Sequence, residues 1–359
     1  MRFMQKIDRS SKLVATWLLI GVGMTIIQIA LGGITRLTGS GLSITEWDVV
    51  TGSLPPLNEQ QWLIEFNKYR QTPQFQYLNF EFTLHDFKFI FFWEWFHRLW
   101  ARTIGLVFAA GFIYFLVKKH FKKEMVQPLL LLFALGALQG AIGWIMVASG
   151  LTGDAVYVKP TRLALHFIFA LGLLSYTYWF ALSLLVKPEQ IVLANNGIRK
   201  WNLYLLAILV IQLLYGALMA GHKAANIAAT WPTINGLWVP DHLMNGDSFF
   251  LNAIDNKIWI HFVHRGFAYL LFVLILIWTI RLYKIKGGIL FNYLRTMPIA
   301  VVLIQVLLGI LTVLSSANII AGNWGMFEWM AELHQLVGML LLLVLVTALY
   351  VVRTNKTNK

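Results

Sequence analysis

The stretch KFIFFWEWFHRLWARTIGLVFAAGFIYFLV, Lys88 to Val117, decides the fold. A bilayer core about 30 Å thick is crossed by roughly 20 apolar residues in an α-helix, and this run is long enough to cross it. Inside the run lie Glu94, His97 and Arg98. Ionisable groups are expensive at that depth and are usually kept for function.

Working outward, seven more apolar segments of similar length follow, at about 13–36, 125–149, 161–186, 201–220, 258–280, 296–317 and 328–352. Eight helices define an all-α integral membrane protein. The composition agrees: of 359 residues, 58% are hydrophobic and 13% charged, with a mean hydropathy of +0.67, far from a soluble domain. The first segment follows the basic start MRFMQKIDRSSK, but its apolar run is too long for a signal peptide and no small-residue cleavage site follows. It reads as a retained helix.

Basic residues fall on alternate connections. Arg2, Lys6, Arg9 and Lys12, then Lys118, Lys119, Lys122 and Lys123, then Lys187, Arg199 and Lys200, then Arg281, Lys284 and Lys286, and finally Arg353, Lys356 and Lys359 share one side. The other side carries little beyond Lys68, Arg70, Lys159 and Lys223. This asymmetry places both termini in the cytoplasm. It also accounts for the net charge of +13 through anionic lipid at the inner surface, without a nucleic-acid partner. The chain has no Cys, which excludes disulfides, thiolate metal sites and Cys-linked haem.

The chain repeats itself. FHRLWA at His97 returns as VHRGFA at His264, 167 residues on, and His334 follows His166 by 168. Gln-x-x-x-Gly occurs on every odd helix, as Gln28 with Gly32, Gln139 with Gly143, Gln212 with Gly216, and Gln305 with Gly309. The plain reading of that motif is packing, with Gly allowing close helix approach and Gln supplying an interhelical hydrogen bond. The even helices carry one buried His each, at one depth near the extracytoplasmic side. The reading is two four-helix repeats, residues 1–190 and 191–359, as pseudo-symmetric bundles joined by the cytoplasmic segment around 187–200.

Four imidazoles, one per helix and without Cys, suit axial ligation of haem iron better than zinc or copper, which want three or four close protein ligands. The natural pairs are His97 with His166 and His264 with His334, and cross-pairing stays open at this stage. Arg36, Arg98 and Arg265 could pair with haem propionates, since guanidinium matches carboxylate geometry; interfacial snorkelling is the rival reading. Glu94 precedes His97 by three residues and shares its helix face, whereas His261 stands before His264. A carboxyl group beside one pair alone assigns proton-coupled chemistry to the first site and electron transfer to the second. His85, His120, His222 and His242 read as solvated surface residues. The outer loop Thr38 to Phe87 is long, acidic and aromatic, a size that usually means function or self-packing.

The strings GGITRLTGSGLSITEW, GSLPPLNEQQW, EFNKYRQTPQF, FKFIFFWEWFHRLWAR, GALMAGHKAANIAATWPTINGLWVP, HFVHRGFA and ELHQLVG, spread over nearly the whole chain, resemble the haem A synthase family, in its mitochondrial and proteobacterial branch without loop cysteines. The resemblance implies oxidation of the haem O C8 methyl to a formyl group through a hydroxymethyl intermediate. It implies haem O on His97 and His166 with Glu94 beside it, and a haem b cofactor on His264 and His334; Glu94 as the catalytic residue is the hypothesis built on this, with local helix packing or a hydrogen bond to a ring group as the rival reading. It favours a cap over the first site for the outer loop. Pathway logic adds the haem O synthase farnesyltransferase and a quinone or other redox carrier as partners, in a bacterial inner membrane. A di-haem electron-transfer subunit and a haem carrier without turnover are the competing functions.

Overall fold

The computed structural model describes residues 8–46, 54–194, 196–241, 243–244, 246, 248–320 and 322–354. Among them are eight helices long and apolar enough to span a membrane. They are α1 (Arg9–Leu37), α2 (Leu84–Val117), α3 (Lys123–Ala148), α4 (Pro160–Leu185), α5 (Asn196–Gly221), α6 (Lys257–Leu282), α7 (Met297–Ser315) and α8 (Met326–Val351). The protein is an all-α multi-pass membrane protein, and each helix lies where the hydropathy placed it.

Short polar residues set the helix starts. Asp8 accepts from the Ser11 amide at the head of α1, and burdened by that bond and by Lys122 at 3.0 Å its carboxyl is held down at about 2. Thr83 and Asp86 form a reciprocal capping box on α2, Pro160 opens α4, and Asn256 caps α6 by accepting from the amides of Ile258 and Trp259. Each satisfies amides that have no partner inside the helix.

α1 packs on α2 and α4, and α3 on α4. α5 packs on α6, and α7 on α8, with α8 also against α5 and α6 against α7. α4 meets α5, and α8 touches both α1 and α4. α8 is therefore the hub: from Gly338 to Val351 nearly every residue is buried, whereas α2 buries only Phe87, Ile90, Phe91, Glu94 and Phe115.

Two features lock the ends of the hub. On the side of the chain termini, Val192–Ala194 runs parallel to Val352–Thr354 as a two-stranded ladder, and Arg199 donates to the carbonyls of Leu349 and Val352 at 2.9 and 2.8 Å. Towards the other side, α1 lies close against α8 at Gly33. A Cβ there would run into the Glu332 carboxylate and the Gln335 amide, and Gln335 Nε2 donates to the Ile29 carbonyl at 3.0 Å. Gly33→Ala should displace the ends of the Glu332 and Gln335 side chains, break the Gln335–Ile29 hydrogen bond and lower stability by about 1 kcal/mol. The check is a fall in Tm in detergent, with Gly21→Ala, where a Cβ meets nothing within 4 Å, showing no fall.

The described part of the long outer loop folds on itself. Glu59–Arg70 and Pro73–Leu78 are helices, and Phe66, Tyr69, Phe75, Phe87, Ile90 and Phe91 close into one aromatic cluster on the start of α2. Burial pushes the Tyr69 hydroxyl up to about 12, so it stays protonated and donates to Gln74 Oε1 at 3.0 Å. Gln74 in turn donates to the carbonyls of Gly39 and Val156, tying the loop to its own start and to the connection between α3 and α4.

Candidate functional site

The even helices bring their histidines together in pairs. His264 on α6 and His334 on α8 face each other with ring centroids 6.3 Å apart and planes at 77°. His97 on α2 and His166 on α4 lie close enough for their charges to interact. Among the described residues no three His, Cys, Asp or Glu side chains gather as a metal-binding group. The donor set is thus two imidazoles at a time.

Each histidine rests on the Gln-x-x-x-Gly motif of the odd helix before it. Gln28 Nε2 lies 3.2 and 3.1 Å from the two ring nitrogens of His97 and donates to its backbone carbonyl at 3.2 Å. Gln139 makes the same three contacts with His166, at 3.2, 3.4 and 3.1 Å. Gln212 and Gln305 reach Nε2 of His264 and His334 at 3.4 and 3.5 Å, and His334 Nδ1 donates to the Gln305 carbonyl at 3.0 Å. The packing reading of the motif is therefore specific: what the Gly and Gln pack against is the histidine.

Glu94 is buried, with 3% of its surface exposed. Its Oε1 pairs with Arg98 at 2.5 Å. Its Oε2 accepts from the Ser43 amide, the Ser43 hydroxyl and the Ile44 amide at 2.7, 2.7 and 2.9 Å. The carboxylate thus fixes the first turn of the outer loop over α2. Arg98 also donates to the carbonyls of Ile44 and Glu46. At the matching place in the second half, Arg265 donates to the carbonyls of Ala228 and Thr233 at 2.8 and 3.0 Å, and His261 contacts the Ala225 carbonyl. Ile44 and Ala228 are 184 residues apart, the same interval as Gln28 and Gln212. Both arginines that follow a histidine are therefore engaged with outer-loop backbone. Arg36 ends α1 within electrostatic reach of Glu328 and Glu332, and its Nη1 lies 3.5 Å from the Ala220 carbonyl.

Two of the weaker histidine expectations fail. His222 is not solvated: its side chain is 11% exposed and its Nε2 meets the Ile254 carbonyl at 2.8 Å. His120 bonds Ser10 Oγ at 2.9 Å and stands edge-on to Phe115. His85 is exposed, as expected, and His242 lies outside the described residues. Sequence reasoning also passed over Glu332, which is buried in α8 with both oxygens lacking a hydrogen-bond partner. Its signal was a carboxylate two residues before a membrane histidine.

Eight helices long and apolar enough to span a membrane, with His264 facing His334 between two of them, define an all-α multi-pass membrane protein. Residues 15–346 match the family model described as cytochrome oxidase assembly protein, COX15-CtaA, and the chain belongs to that family. It is similar to the haem A synthase of Novosphingobium aromaticivorans, with 43% identity over 340 residues covering 91% of each chain. It is likewise similar to those of Flavobacterium psychrophilum, at 38% identity over 93% of this chain and 96% of the relative, and Paracoccus denitrificans, at 40% over 84% and 80%.

Proposed function

We propose that the protein is a haem A synthase that oxidises the C8 methyl of haem O to a formyl group through a hydroxymethyl intermediate. The observation that carries this reading is the pairing of the four membrane histidines in a chain of this family. The 6.3 Å between the His264 and His334 ring centroids would leave room for both imidazoles to hold one metal ion, each binding it at about 2 Å. A pair of imidazoles with no third protein ligand fits an iron whose other four positions are filled by a porphyrin.

In this reading residues 1–190 form the substrate repeat, with haem O between His97 and His166, and residues 191–359 form the cofactor repeat, with haem b between His264 and His334. When bound, haem b supplies one-electron redox chemistry. The chain's own residues do the rest. The His pairs orient the two haems, and Glu94 stands one turn from His97 as a rigidly held carboxylate, placed to stabilise positive charge developing at the reacting carbon and to assist proton removal. Arg98 positions Glu94, and Arg36 is the guanidinium assigned to a propionate, because its carbonyl contact, to Ala220 at 3.5 Å, is long, whereas Arg98 and Arg265 each hold two loop carbonyls more closely. The distribution of basic residues supports a topology with both termini in the cytoplasm and the haem sites towards the outer side, and the bacterial sources of the chain's relatives support an inner membrane. Haem O synthase and a quinone or similar carrier are the partners this activity calls for.

The test is extraction and mass measurement of haem from the protein co-expressed with a haem O source. Formyl or hydroxymethyl haem is the expected product. Unmodified haem b in both sites would make the protein an electron carrier and overturn the proposal.

A further inference from the structure

We infer that the four Gln-x-x-x-Gly motifs are positioning devices that set the ring orientation of the histidines, each serving one axial ligand; this rests on the haem reading above. The glycines carry the first argument. A Cβ at Gly32 or Gly216 would stand 3.2 Å from Cε1 of His97 or His264, and at Gly143 or Gly309 2.9 Å from Cε1 of His166 or His334. All four contacts fall on the same ring atom. Glycine inside a helix costs about 1 kcal/mol relative to alanine, so a glycine kept at each of these places is explained by the ring it accommodates. The distances also repeat, 3.2 Å on α1 and α5 and 2.9 Å on α3 and α7.

The glutamines carry the second argument. Gln and Gly four residues apart share one helix face, so the amide lies one turn from the glycine and against the same imidazole. In the first pair the amide also donates to the backbone carbonyl of the histidine itself, at 3.2 Å for His97 and 3.1 Å for His166. A carbonyl can only accept, so the NH2 end of each amide faces the ligand helix. In the second pair, His334 Nδ1 points at the Gln305 carbonyl at 3.0 Å, which requires the proton on Nδ1 and puts the lone pair on Nε2, 3.5 Å from the Gln305 amide nitrogen. Supporting hydrogen bonds of this kind fix the tautomer and orientation of ligating histidines.

The experiment uses the full-length protein purified from cells that make haem b, reading the haem-to-protein ratio and the electron paramagnetic resonance signal of low-spin, bis-imidazole iron. Gly309→Ala is expected to lower haem affinity by roughly tenfold or more and to shift the low-spin signal, and Gly216→Ala to shift it less. Gln305→Leu keeps the backbone and is expected to shift the same signal. Gly136→Ala and Gly140→Ala, where a Cβ meets nothing within 4 Å, are expected to leave both readouts unchanged. If Gly309→Ala fails to fold, Gly216→Ala and Gln305→Leu decide the matter.

Unaltered signals in the folded motif variants, in a protein whose His264→Ala and His334→Ala forms lose the signal, would overturn this inference alone. Retention of the signal in those two histidine variants would overturn the haem reading instead.

Discussion

His264→Ala and His334→Ala are each expected to remove the proposed haem b, whereas His97→Ala and His166→Ala should leave it in place and abolish conversion of haem O. This split is the largest effect expected of any single substitution. Losing a residue that merely supports a metal ligand costs roughly 10–100-fold in affinity, and loss of one of only two protein ligands costs more. The pairing determines which variants behave alike: His264 and His334 face each other across 6.3 Å, on helices that pack together with α5 and α7. His97 and His166 are the other interacting pair. Extracted haem, quantified and identified by mass for each purified variant, checks the result. If His97→Ala lost the same haem as His264→Ala, the pairs would be crossed and the assignment of one haem to each half would fall.

The eight helices were legible because a bilayer demands about 20 apolar residues per crossing, and among the described residues no other element supplies them. The four histidines were legible for a related reason, since an ionisable group in such a helix stands out against its surroundings. What stayed hidden was long-range and short. Val192–Ala194 and Val352–Thr354 are three residues each and pair Val192 with Val352, far apart in the sequence, so no periodicity announces them. The partners of Glu94 are two backbone amides and a hydroxyl in the outer loop, and backbone groups leave no trace in residue identity. His222 was misread because a histidine in a connection looks solvated until the helix Phe249–Asp255 brings the Ile254 carbonyl to it. Gln-x-x-x-Gly was visible as a motif, but only the structure shows that both residues address the histidine of the next helix.

Glu94→Gln is the second large effect. The carboxylate pairs with Arg98, whose side chain is 12% exposed, and removing one partner of a buried ion pair costs about 3–5 kcal/mol because the other charge is left uncompensated. The amide brings a further conflict, since its NH2 end must face either Arg98 or the three donors of Ser43 and Ile44. The outer loop should therefore loosen, seen as faster amide exchange around Ser43. Haem O conversion should fall by roughly a hundredfold or more, the range found when a group stabilising transition-state charge is removed. Loosening alone could also slow the reaction, so the two roles need separating. Ser43→Ala deletes one loop hydrogen bond, worth about 1 kcal/mol, and leaves the carboxylate and Arg98 in place. Conversion that survives in Ser43→Ala and collapses in Glu94→Gln assigns the chemistry to the carboxylate. Equal losses at equal loop opening would make Glu94 an anchor for the outer loop and nothing more. The second half supplies the contrast within the same molecule: His261 stands where Glu94 does, and its loop is held by Arg265 through the carbonyls of Ala228 and Thr233. A loop can thus be fastened at this position without a carboxylate, so loop fastening alone does not account for Glu94.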